Sequence, residues 1–292
     1  MELELKRGGR TARVETLGGE LVSYRDERGL EYIWGGDPAY WPGRNPLLFP
    51  IVGMLKEGKI RFDGREYAME RHGFARRREF TPAARGEDWV RLELRESAEP
   101  LALYPYSFRL AVEQRLTDTG FSTAVTVANP GEGPLPFCLG AHTGFRCPLE
   151  AGERFEDYEL VFPERESCPT LLLRDGLLDR PAALPCLEDT DTLPLDYRWF
   201  DALDTLIFEG LRSRSVTLRS RKSGRGVRGS FDGFPMLAFW TMPGKKAPYL
   251  CIEPWHGCAA GTAEGPEFTD KAHCIVLAPG ESRTLAYRAD TL

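Results

Sequence analysis

Trp89-Val90-Arg91-Leu92-Glu93-Leu94 decides the fold class. Apolar and polar residues take turns along it. That period of two marks a half-buried strand, because successive side chains point to opposite faces of a sheet. Outward from this segment the same period returns. Phe108-Arg109-Leu110-Ala111-Val112-Glu113-Gln114 follows it, then Thr123-Ala124-Val125-Thr126-Val127 and Ser215-Val216-Thr217-Leu218. Upstream lie Glu2-Leu3-Glu4-Leu5 and Thr11-Ala12-Arg13-Val14-Glu15. A series of such segments reads as antiparallel sheets with one face packed and one wet.

Between them, 30 glycines and 22 prolines break the chain at intervals that suit loops. Asn129-Pro130-Gly131-Glu132-Gly133-Pro134 is the clearest turn cluster. The best places for short helices lie within residues 190–204. No linker, repeat or shift in composition divides the chain. The expectation is an all-β fold of two large, mainly antiparallel sheets packed face to face, as a single domain over residues 1–292. The stretch from Glu150 to Phe200 is the exception. Rich in Glu, Asp, Pro and Leu, it reads as a long irregular excursion over one face, either covering a cleft or serving as a structural crossover.

The net charge of −6 and the pI near 5.5 argue against nucleic acid, which asks for a basic face. Met1-Glu2-Leu3-Glu4-Leu5-Lys6-Arg7 alternates charge and leucine, unlike a secretion signal. No apolar run approaches the roughly 18 residues of a membrane span. A soluble, cytoplasmic protein is expected, monomeric or a weak homodimer. Seven cysteines without a Cys-x-x-Cys pair read as free thiols packed as small hydrophobes. Cys251, His256 and Cys258 offer zinc-donor atoms, but their spacing matches no common ligand pattern. No metal and no cofactor are expected.

Three turns carry the chemistry. Gly140-Ala141-His142-Thr143-Gly144 holds an imidazole between small residues that leave room for a bulky ligand. The same residue could instead pack in a turn against a backbone carbonyl. His72, before Gly73-Phe74-Ala75-Arg76, has a similar setting and could hydrogen-bond a sugar hydroxyl. Glu253 ends the apolar run Pro248-Tyr249-Leu250-Cys251-Ile252 beside Pro254-Trp255. A carboxylate there is expected to be desolvated, which raises its pKa and makes it a better base near neutrality. Trp255 is either core or a ring for the apolar face of a sugar. Asp204 opens the apolar strand Thr205-Leu206-Ile207-Phe208 and suits vicinal hydroxyls or a helix cap, with Asp201 as its competitor. Arg44 and Arg76 are candidates for a hydroxyl or anion contact, although many arginines are simply solvated.

Taken in order, these segments resemble the aldose 1-epimerase (galactose mutarotase-like) superfamily, and more closely its short LacX-like bacterial branch. The resemblance rests on Asn45-Pro46-Leu47-Leu48-Phe49-Pro50-Ile51-Val52-Gly53, His72-Gly73-Phe74-Ala75-Arg76, Gly140-Ala141-His142-Thr143-Gly144-Phe145 and Cys251-Ile252-Glu253-Pro254-Trp255-His256-Gly257, with Asp204-Thr205-Leu206-Ile207-Phe208 between them. It spans nearly the whole chain. It implies a β-supersandwich with a sugar site in an open cleft of one sheet. It also implies that His142 protonates the ring oxygen, Glu253 takes the anomeric hydroxyl proton, His72 orients the sugar and Asp204 holds its hydroxyls. Where the longer branch has an arginine after the asparagine, this chain has Pro46, and Arg44 or Arg76 would have to compensate.

The implied reaction is interconversion of the α and β anomers of a hexose. It needs one proton added to the ring oxygen and one removed from the C1 hydroxyl, with no cofactor. Two other readings use the same fold: a non-catalytic carbohydrate-binding or regulatory protein, and a hexose-6-phosphate 1-epimerase. A glycoside-cleaving enzyme ranks behind them, because it usually needs two carboxylates about the bond and this set supplies one. The overall negative charge tips the expectation toward a neutral aldose.

Overall fold

The computed structural model describes residues 1–95 and 98–292. The alternating segments all form strands, and the edges fall close to where the pattern puts them: Glu2–Arg7, Arg10–Glu15, Trp89–Arg95, Arg109–Leu116, Gly120–Ala128 and Ser215–Ser220. Most of these join one antiparallel array, in which Gly120–Ala128 lies between Arg109–Leu116 and Ser282–Thr291. A second array carries the cleft. Its centre is Tyr249–His256, paired on one side with Met236–Trp240 and on the other with Leu139–Ala141 and Thr143–Arg146. Thr205–Glu209 extends it beyond Met236–Trp240. The fold is all-β, as the alternation requires.

The inner faces of the two arrays meet in one continuous core. Phe121 of the first stacks on Phe145 of the second with ring centroids 6.5 Å apart. Tyr249–His256 is buried along nearly its whole length, yet period two still sorts its side chains. Leu250 and Ile252 enter the main core. Tyr249 and Cys251 pack with Trp34 on the opposite face, and Glu253 and Trp255 face the cleft.

The stretch from Glu150 to Phe200 corrects the sequence reading. It is not an irregular loop; two long strands, Tyr158–Arg174 and Leu177–Pro194, form an antiparallel hairpin. Four register shifts interrupt their ladder, and bulges of that kind scramble the alternation that would have revealed the strands. The joining turn, Asp175-Gly176, has positive φ at both residues (52° and 78°), the usual chemistry of a two-residue hairpin turn. Tyr158–Arg174 bridges the arrays, pairing with Ser215–Ser220 near its start and with Ile207 through Leu171 near its end. The helix expected within 190–204 is Tyr197–Leu203, capped by Asp196 through a bond from the Arg198 amide. Among the described residues no helix is long and apolar enough to cross a membrane.

One glycine fixes the backbone next to His72. Gly73 has φ of 70°, and a Cβ there would sit 2.2 Å from the Phe49 carbonyl oxygen. That oxygen accepts bonds from the Phe74 and Ala75 amides, so it cannot simply move away. Gly73→Ala is expected to cost more than about 1 kcal/mol, from left-handed backbone plus steric clash. A fall in the urea midpoint measures it; an unchanged midpoint would show that the segment can relax.

Candidate active site

Sheet register builds the centre of the site. Gly140 lies opposite Trp255 and Thr143 opposite Ile252, so His142, at the break between two short strands, falls opposite Glu253. The two side chains meet, with His142 Nε2 3.3 Å from a Glu253 carboxyl oxygen. His142 is 8% exposed and Glu253 1%, so water barely screens the pair. Burial, then the nearby charges of Arg76 and Arg71, push the imidazole down to about 3. Burial drives Glu253 the other way, well above the usual carboxylate value; the Trp255 indole pulls against that shift and Asp204 adds to it. Both shifts favour the uncharged forms, so the pair holds one transferable proton between two atoms.

The glycines beside His142 do a different job from the one expected. A Cβ on Gly140 would meet the Trp255 ring at 3.0 Å, and one on Gly144 would meet the Trp41 ring at 3.0 Å. They admit the protein's own indoles rather than a ligand. Trp41 lies over the imidazole at 4.8 Å between centroids, and Trp240 meets it edge-on at 5.6 Å. These rings fix the plane of His142 and dry its surroundings.

His72 lies at right angles to His142, 5.7 Å away. Its Nδ1 accepts from the Gly53 amide at 3.1 Å, while its own amide donates to the Gly53 carbonyl at 2.9 Å. Burial lowers its pKa well below 6.5, followed by the charges of His142, Arg76 and Arg71. A neutral ring with Nδ1 accepting must carry its proton on Nε2. His72 is therefore a fixed donor.

These groups line one cavity of about 270 Å³, together with Trp41, Trp240, Trp255, Asp204, Met54 and, at the hairpin tip, Leu173 and Gly176. Ligand pockets start near about 300 Å³, so the space suits a small molecule. Asp204, not Asp201, reaches it. Asp204 caps the helix Tyr197–Leu203 at φ of 62°, and its carboxylate accepts from the Trp240 indole (3.4 Å) and the Thr205 hydroxyl (3.1 Å). Asp201 instead accepts from the Gly244 amide outside the cavity.

Arg44 is also displaced from the expected site. Its Nε donates to the Gly35 carbonyl at 3.1 Å and its guanidinium lies 3.5 Å from Glu15, so it does not line the cavity. Its neighbour Asn45 is buried, accepting from Thr143 and Tyr287 hydroxyls, and Pro46 forms the wall instead. Arg76 does line the cavity, and so does Arg71. Sequence reasoning missed Trp41, Trp240 and Met54; only the apolar run ending at Trp240 gave any signal.

For a metal, the donor set is not the one the sequence offered. His256 Nδ1 sits 2.8 Å from the His273 carbonyl, away from Cys251. His142, Cys251 and Glu253 have donor atoms within 4.8 Å of one another. Burial raises the Cys251 thiol well above 9.0, so that set is neutral and would have to shed protons to bind a cation.

His142 and Glu253 thus form a buried imidazole–carboxyl pair able to give and take protons in the cleft of a two-sheet β fold, and comparison with known proteins places that fold among the carbohydrate epimerases. The chain belongs to the aldose 1-epimerase family, whose family model matches residues 1–289. It is 40% identical over 295 residues to the plasmid-borne protein LacX of Lactococcus lactis subsp. lactis, covering 98% of each, and equally so to the chromosomal form. Among solved structures it resembles a galactose mutarotase related enzyme from Lactobacillus acidophilus, with TM-score 0.95 and 26% identity, covering 100% of this chain and 97% of that one. A galactose mutarotase-like protein from Lactobacillus casei matches at TM-score 0.91 and 28% identity, with full coverage of both.

Proposed function

We propose that the protein is an aldose 1-epimerase that exchanges the α and β anomers of a hexose by acid–base ring opening and closure. The single observation that carries this reading is the buried His142–Glu253 contact at 3.3 Å. When a cyclic sugar displaces water, the proton passes to the imidazole. His142 then protonates the ring oxygen while the Glu253 carboxylate takes the C1 hydroxyl proton, and the C1–ring oxygen bond breaks. The open chain leaves the pair uncharged, as it was before the sugar bound. Rotation about C1–C2 and reversal of both transfers close the other anomer. His72 Nε2–H and the Asp204 carboxylate hold hydroxyls, and Trp255 presents an apolar ring to the sugar face.

Polarimetry tests this directly. Freshly dissolved α-glucose or α-galactose should reach its equilibrium rotation faster with the protein than in buffer. Aldoses that bind yet equilibrate no faster would favour a carbohydrate-binding protein instead. His72→Ala should raise KM with kcat largely spared, because a fixed donor positions the sugar without moving a proton. A loss confined to kcat would make His72 the acid.

A further inference from the structure

We propose that the cavity is built for a phosphorylated aldose, with the phosphate held by Arg71 and Arg76; this rests on reading the cavity as an aldose site. The chain pairs many of its arginines with carboxylates, including Arg77, the immediate neighbour of Arg76, which is bonded to Glu70. Among the described residues, the two that line the cavity have no carboxylate within ion-pair distance. Arg76 Nη2 donates to the Arg71 carbonyl at 2.8 Å, and its buried Nε has no hydrogen-bond partner. Arg71 Nη2 lies 2.8 Å from the Met54 sulfur, which offers no charge. The cavity's own carboxylates are engaged elsewhere, Glu253 with His142 and Asp204 with Trp240 and Thr205.

Arg76 is half-buried with only the more distant carboxylates of Glu70 and Glu20 to balance it, and Arg71 is exposed at the mouth, so an anionic ligand would be the first negative group in direct contact with either guanidinium. A phosphomonoester near neutral pH carries most of two negative charges and offers oxygens suited to planar guanidinium forks. A carboxylate would balance only one of the arginines. The hairpin tip limits where the phosphate can lie. A Cβ on Gly176 would meet the Met54 sulfur at 2.3 Å and Arg71 Nη2 at 3.2 Å, so the tip is closed down onto Arg71. The global charge of −6 gives no long-range attraction for such a substrate, so selection is local.

The arrangement also bears on the chemistry. Arg76 and Arg71 are the cations that disfavour protonation of His142. Burial remains the larger cause, but a bound phosphate offsets the arginine charges and so eases the proton's passage to the imidazole beside Glu253. Of the other titratable neighbours, His72 and Asp204 keep their contacts to Gly53 and to Trp240 and Thr205, and burial keeps the Cys251 thiol protonated.

The test compares kcat/KM for glucose, glucuronate and glucose 6-phosphate in the wild type and in Arg71→Gln and Arg76→Gln. Arg71 is exposed, so Arg71→Gln should fold even if Arg76→Gln does not. The wild type should prefer the phosphate by more than about tenfold, or about 1.4 kcal/mol. Either variant should lower that preference at least tenfold. Inorganic phosphate should compete with the sugar and weaken as an inhibitor in the variants. The acid limb of kcat for glucose 6-phosphate should lie at higher pH than that of kcat/KM, because only the complex carries the offsetting charge. A preference near one, a preference for glucuronate, or a phosphate preference untouched in Arg71→Gln would overturn the proposal. Failure to turn over any of the three sugars would instead overturn the epimerase reading on which it rests.

Discussion

Glu253→Gln should lower kcat by about 10²-fold or more, at least about 2.7 kcal/mol of transition-state stabilisation. The amide keeps the size and shape of the side chain and still reaches His142, but it can neither take nor return a proton at neutral pH. The substitution also removes an ionisable group from a site where the carboxyl is already driven toward its neutral form by burial. Stability should therefore hold or rise slightly, which separates a chemical loss from a folding one. KM should change little, since the positioning groups His72 and Asp204 are untouched. Stopped polarimetry of the variant, alongside its thermal midpoint, gives both readings. A variant that keeps kcat within a few-fold of the wild type would remove Glu253 from the reaction.

The fold was legible because strands that face water on one side alternate. Phe108–Gln114 and Thr123–Val127 announce themselves in sequence and pair with each other in the first array. The cleft strand Tyr249–His256 is harder, being covered on both faces and so a continuous apolar run. Its one carboxylate stood out for that reason. The hairpin Tyr158–Pro194 was illegible as strands, because bulges and prolines broke its period. Yet Asp175-Gly176 was a usable turn signal in the middle of it.

The candidate site was legible only where a residue type is rare and chemically pointed. His72, His142 and Glu253 converge because sheet register puts His142 opposite Glu253 and the Gly53 backbone holds His72 in place. Which arginine enters the cavity was not legible. Arg44 and Arg76 sit in equally suggestive segments, and the decision falls to remote partners: Glu15 and the Gly35 carbonyl draw Arg44 away, while Arg76 bonds the Arg71 carbonyl at the cavity wall. The tryptophans over His142 come from segments far apart in the chain, and only the packed sheets bring them together.

His142→Ala should also lose about 10²-fold or more in kcat, and the pH profile of the wild type should show why the residue works. A free imidazole has a pKa near 6.5, and an enzyme relying on one would change rate across that value. Here burial and the two arginines hold His142 at about 3, and burial raises Glu253. The signs are opposite and both widen the range in which the pair carries one proton. Falling pH adds a second proton only near the lowered imidazole value, and rising pH removes the shared one only above the raised carboxyl value. Thus kcat/KM for a neutral aldose, which reports the free enzyme, should show no inflection near pH 6.5 that belongs to His142. The Glu253→Gln variant should lose the alkaline limb, because the group that releases the shared proton is gone. If the wild type instead shows a step near pH 6.5 that disappears in His142→Ala, the imidazole titrates as an ordinary surface group. The shared-proton mechanism would then have to be abandoned.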